Sequence, residues 1–119
     1  LSAVEGYRIL VSAQVRSASD MPLEVALLDY AGFRYQASVR AQTPLWSEAR
    51  LALDFAEAQW RAISSRISDN ALKSSFVADL AAMRAALEAS DASAAQNAVA
   101  VELDRVDALE QYFSPPPAQ

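Results

Sequence analysis

Apolar residues recur at three- and four-residue spacing through nearly all of the chain. The clearest run is Trp46, Ala49, Leu53, Ala56, Trp60, Ile63 and Ile67, which keeps one face of a helix apolar for three heptads. A second stripe is Leu72, Phe76, Leu80, Met83 and Leu87. A third is Ala95, Val99, Leu103, Val106, Leu109 and Phe113, and a fourth is Val4, Tyr7, Val11, Val15 and Ala18. All four are one-sided, as on helices that cover a shared core. The segment after Pro22 differs. Val25, Leu28, Gly32, Tyr35 and Val39 fall on one side, and Leu23, Ala26, Tyr30, Phe33, Ala37 and Ala41 on the other. Such a helix is expected to be central in the bundle or to form part of an oligomer interface.

Turn and capping residues separate these segments. Asp20 or a neighbouring Ser precedes Pro22, Thr43 precedes Pro44, and Ser68-Asp69-Asn70 and Ser90-Asp91 follow. Ser, Thr, Asp and Asn accept from free N–H groups at helix starts, and Pro suits the first turn. The predicted helices run over roughly 3–18, 22–41, 44–68, 71–89 and 92–113. Connectors of two to four residues make neighbours antiparallel. The expected fold is all-α, an up-and-down antiparallel bundle of four to five helices. One domain covers 1–114, and the Pro-rich stretch 115–119 is expected to be a disordered tail. The i,i+4 pairs Arg50–Asp54 and Glu57–Arg61 are expected on the outer face of the third segment.

Composition agrees with helix: 26 Ala against 2 Gly and a single Thr. Net charge is −5 with no Lys/Arg cluster, which argues against nucleic-acid binding and against an anionic membrane surface. No apolar run approaches the roughly 20 residues of a membrane span. The chain begins at Leu1, read as the start after a removed signal peptide or as a cut from a longer protein. The expected setting is periplasmic or otherwise exported and bacterial, with cytoplasmic as the alternative.

The absence of His and Cys removes ordinary zinc sites, Ser-His-Asp and Cys-His nucleophiles, and Glu-x-x-His di-iron bundles. Two Gly cannot build a phosphate-cradling loop. No catalytic residue, cofactor or metal ligand is assigned. The stretch Ala81-Ala82-Met83-Arg84-Ala85-Ala86-Leu87, with the Ser90-Asp91 turn and an Ala-rich last helix, resembles small exported bundles of the cytochrome b562 type. That resemblance implies architecture only. Those bundles hold haem through a His on the last helix, and this chain has none.

The leading expectation is a non-enzymatic interaction or assembly domain. It forms a homo-oligomer, most simply a two-fold dimer, or binds a protein partner. The interface candidates are Leu28, Phe33, Tyr35 and Val39 on the two-faced helix. The alternative is an exported carrier of an apolar or cationic small molecule, with Tyr30, Trp46, Trp60, Glu102 and Glu110 as pocket candidates. Glu110 falls inside the stripe of the last helix and Glu102 at its edge. Both are read first as rim carboxylates that reach water or an Arg.

Overall fold

The computed structural model describes residues 21–114. Helix α1 spans Leu23–Arg40, α2 Trp46–Ile63, α3 Asn70–Glu88 and α4 Ala92–Phe113, with a 3₁₀ turn at Ser64–Arg66. Segment 3–18 and the tail 115–119 lie outside the described residues. Among the described residues no helix is long and apolar enough to cross a membrane.

Helix ends follow local chemistry at three of the four starts. Pro22, in extended geometry, caps α1, and the Val25 N–H donates to its carbonyl at 3.1 Å. The Asp69 carboxylate accepts from the Leu72 N–H, and that of Asp91 from the Ala94 N–H, both at 3.0 Å. Asp91 also closes α3. Its N–H donates to the Ala86 carbonyl and that of Ser90 to the Leu87 carbonyl, with Ser90 at φ 51. One residue thus ends α3 and starts α4. Asp91→Ala is expected to cost about 1 kcal/mol, read as a lower melting temperature with helix content unchanged.

The start of α2 departs from expectation. Thr43 does not cap it. The helix begins at Trp46, and Leu45 stands before it without a side-chain cap. The Leu45 N–H instead donates to the Ser38 carbonyl at 2.9 Å, so a turn back onto α1 takes the donor that an earlier helix start would have used. At its other end the α2 stripe passes through the 3₁₀ turn to Ile67, which is buried.

Cross-helix contacts fix the topology. Arg34 of α1 lies 3.7 Å from Glu48 of α2. Arg84 of α3 meets Asp54 at 2.7 Å and Glu57 at 2.6 Å on α2, and Trp60 stacks on Phe76 at 4.6 Å. Arg105 of α4 meets Asp79 of α3 at 2.9 Å. Gln96 reaches the Val39 carbonyl, while Gly32 lies against Glu102. Along each pair one residue number rises as the other falls, so successive helices are antiparallel and α4 returns beside α1. The Tyr35 hydroxyl donates to the Met83 carbonyl at 2.7 Å and ties the diagonal pair α1 and α3. The fold is an all-α up-and-down bundle. The α2–α3 seam is its thinnest side.

The stripes of α2, α3 and α4 form the core, with Trp46, Leu72, Leu103 and Phe113 partly buried at its margins. On α1, Val25, Leu28, Tyr35 and Val39 are buried, whereas Phe33 on the other side is 53% exposed. Three of the four expected interface residues, Leu28, Tyr35 and Val39, therefore pack inside the chain's own bundle. The inner face of α1 is covered by α2 and α4. The expected pairs Arg50–Asp54 and Glu57–Arg61 are also replaced, because Arg84 from α3 takes both carboxylates. At the bundle end the Tyr112 hydroxyl accepts from the Ser68 N–H at 2.9 Å, and Arg66 lies over the Phe113 ring.

Candidate functional site

Two places hold polar groups that the core does not explain. The first is the seam between α1 and α4. The inward face of α4 reads Ala95, Val99, Glu102, Val106 and Leu109, so a carboxylate occupies a full core position. Glu102 is 0% exposed, and neither carboxylate oxygen has a hydrogen-bond partner. The space comes from Gly32. A Cβ there would stand 2.5 Å from Glu102 Oε1 and 2.7 Å from Leu103 Cδ2. The glycine is kept by close approach, not by backbone conformation, since the α1 backbone is helical through it.

Desolvation is the main force on Glu102. Burial first, then the facing Asp29 and Asp79, push its pKa up to about 9, so it is uncharged at neutral pH. Asp79 is also buried, but it accepts from Arg105 Nε at 2.9 Å. Asp29 is raised by burial and then by Asp107. Glu110 is raised by burial, by Asp29 and by Asp107, and is hydrogen-bonded to Asp107. Asp107 and Glu110, with Met21, Gln111 and Ser114, line a hollow of about 440 Å³. No ion pair to Asp29, Glu102, Asp107 or Glu110 is present among the described residues. No three of their Asp, Glu, His or Cys side chains are gathered closely enough to hold a metal ion.

The second place is the thin seam between α2 and α3, where a cleft of about 400 Å³ opens. Trp60 and Leu80 form its apolar floor, with Val77 and Ala81 beside them. Val77 is 53% exposed. Arg84 bridges the rim to Asp54 and Glu57, while Arg61, on the same rim, makes no ion pair among the described residues.

The pocket candidates therefore divide between places. Glu102 and Glu110 share the α1–α4 seam, and Trp60 lies in the α2–α3 cleft. Trp46 is half-buried at the start of α2, and Tyr30 is half-buried on α1. Neither of the two hollows described among these residues collects the five. Glu102 is no rim residue, since the path of α4 over Gly32 carries it inside. Asp29, Asp107 and Val77 were not anticipated. Asp29 lies one turn before Gly32, and the only sequence signal for it was that glycine, a mark of close helix approach.

No protein family, no curated protein and no solved structure matches this chain.

Proposed function

We propose that this chain is a non-enzymatic helical interaction domain that pairs with a second copy of itself across the α2–α3 face. The observation that carries the reading is Val77, 53% exposed beside an apolar floor on the side where the helices touch least. An open apolar cleft of this kind suits a helix laid into it. The charges around it suit a copy of the same chain. Arg61 makes no ion pair among the described residues, and Asp54, 55% exposed at its side chain, keeps surface for a second partner. The two lie seven positions apart on α2, about 10 Å along the axis. A two-fold axis crossing α2 between them brings each Arg61 to Asp54 of the partner subunit, twice over, as an isologous contact requires.

Native mass spectrometry of the full chain tests this. The parent is expected as a dimer, and Val77→Glu as a monomer with unchanged helix content. A parent that stays monomeric at tens of micromolar would overturn the reading. Phe33→Glu is the comparison: dissociation there, with Val77→Glu still dimeric, would move the interface to the outer side of α1.

A second reading rests on the same cleft. Its volume lies within the range of small-molecule sites, and Trp60 in its wall would report an apolar or cationic ligand by a change in fluorescence. A retained mass on a monomer in the same spectrum would favour a carrier over an assembly domain.

A further inference from the structure

Helix α1 is apolar on two sides, and the four-helix bundle uses one of them. Its inner face packs on α2 and α4. The outer face carries Leu23, Ala26, Tyr30, Phe33 and Ala37. Leu23, Ala26 and Tyr30 are half-buried, Ala37 is exposed, and Phe33 is 53% exposed. A helix with apolar residues on both sides gains by covering both. Pairing across the α2–α3 face leaves the outer side of α1 as it is.

The chain itself carries a segment of matching form. Residues 1–20 directly precede α1 and lie outside the described residues. Their sequence holds the stripe Val4, Tyr7, Val11, Val15 and Ala18. Read backward from Ala18, the stripe advances by three, four, four and three positions. Read forward from Leu23, the outer face of α1 advances by three, four, three and four. In an antiparallel pair one number falls as the other rises, so the two patterns stay in step. Val15 comes level with Ala26, Val11 with Tyr30 and Val4 with Ala37, while Tyr7 is within one position of Phe33.

Length and linkage agree with this register. A helix over 3–18 is about 24 Å long, and α1, with 18 residues, about 27 Å. The connection between them is short and ends at Pro22, which stands before α1 in extended geometry. Such short connections make neighbouring helices antiparallel. The tether also decides between this segment and a second copy. A segment joined to its seat by a few residues is present at an effective concentration on the order of millimolar, far above that of another chain in dilute solution.

We propose that the outer face of α1 is the seat of the chain's own residues 3–18, laid antiparallel on it as a fifth helix. Tyr7 then covers Phe33, and the segment keeps α1 from pairing with another copy. Self-association is directed to the α2–α3 face. The two surfaces lie on different helices, so either can fail without the other.

The sequence contains no Cys, so a pair of introduced cysteines reports contact cleanly. The full chain with Val4→Cys and Ala37→Cys is oxidised by glutathione disulfide in dilute solution and followed by mass spectrometry. An intramolecular disulfide is expected. It should form about tenfold faster than in the chain with Gly6→Cys and Ala37→Cys, because the seat raises the local concentration of one side only. Position 6 lies about 200° around the helix from position 4, at nearly the same distance along the chain. Thermal melting of two further variants gives an independent readout. Val11→Glu, which puts a charge against α1, should lower the melting temperature by about five degrees. Ala13→Glu, on the opposite side of the stripe, should leave it unchanged.

Disulfides formed only between chains would overturn the proposal and place another copy on α1. Equal rates for the Val4 and Gly6 pairs would also overturn it, since they would mean a tethered segment without a seat. So would a Val4 pair that stays reduced while helix content is that of the parent. Equal melting temperatures for Val11→Glu and Ala13→Glu would count in the same way.

Discussion

Replacing Glu102 by Gln is expected to flatten the dependence of stability on pH and to stabilise the protein at neutral pH by about 3 kcal/mol. The sign follows from proton counting. Unfolded, the carboxyl has its ordinary value of 4.5; folded, burial pushes it up to about 9. Between those values the folded state holds a proton that the unfolded state releases. The contribution of Glu102 is therefore fully present below about pH 4.5 and is lost as pH rises toward 9. The slope is at most about 1.4 kcal/mol per pH unit. From pH 4.5 to 7 that amounts to about 3 kcal/mol. Glutamine has nearly the same shape, stays neutral throughout and leaves the space against Gly32 filled. Parent and variant should coincide near pH 4.5 and separate above it. Urea unfolding followed by helix signal at pH 4.5, 7 and 8.5 measures the gap. Because the other titrating groups are common to both proteins, the difference isolates Glu102. Parallel curves would mean that the carboxyl is solvated in the folded state.

The same residue shows how far the sequence could be read. The stripes of α2, α3 and α4 were legible because each helix is covered on one side, so burial copies the helical period into residue type. Asp69 and Asp91 were legible because capping is local chemistry between residues three apart. What escaped reading depends on contacts distant along the chain. Thr43 looked like a cap until Ser38 took the Leu45 N–H. Asp54 and Glu57 had intrahelical partners in the sequence, yet Arg84 reaches both from another helix. Glu102 stood at a stripe edge, and a shift of a few tens of degrees in helix rotation decides whether such a residue meets water or core. Asp29 carried no signal of its own, because its closeness to Glu102 and Glu110 exists only in the register of α1 against α4. The two-faced pattern of α1 was real in the sequence, but only its inner half is fully buried.

Truncating Trp60 is expected to be the most damaging single change in the core. Trp60 is 7% exposed and lies nearly parallel to Phe76, with ring centroids 4.6 Å apart and an interplanar angle of 11°. Large-to-small changes at buried aromatic positions cost about 3–5 kcal/mol through lost transfer energy and the cavity left behind. The stack with Phe76 adds to this, since such pairs contribute about 0.5–1.5 kcal/mol beyond their buried area. Location sharpens the effect. The α2–α3 seam is the thinnest side of the bundle, so few neighbours can close over the gap, and the ion pairs of Arg84 lie partly exposed and contribute little. Trp60→Ala should lower the melting temperature by on the order of ten to twenty degrees. Trp60→Phe, which keeps a ring against Phe76, should recover most of that loss. Trp46→Ala, at a half-buried position at the start of α2, should cost much less. Thermal melts of the three variants order these effects. Equal losses from Trp46→Ala and Trp60→Ala would mean that α2 is rotated about its axis from the placement described, and the cleft floor assigned to Trp60 would go with it. If the placement holds, Trp60→Phe gives a folded protein with an altered cleft, and its oligomeric state then tests whether the α2–α3 face joins two copies without confusing that question with unfolding.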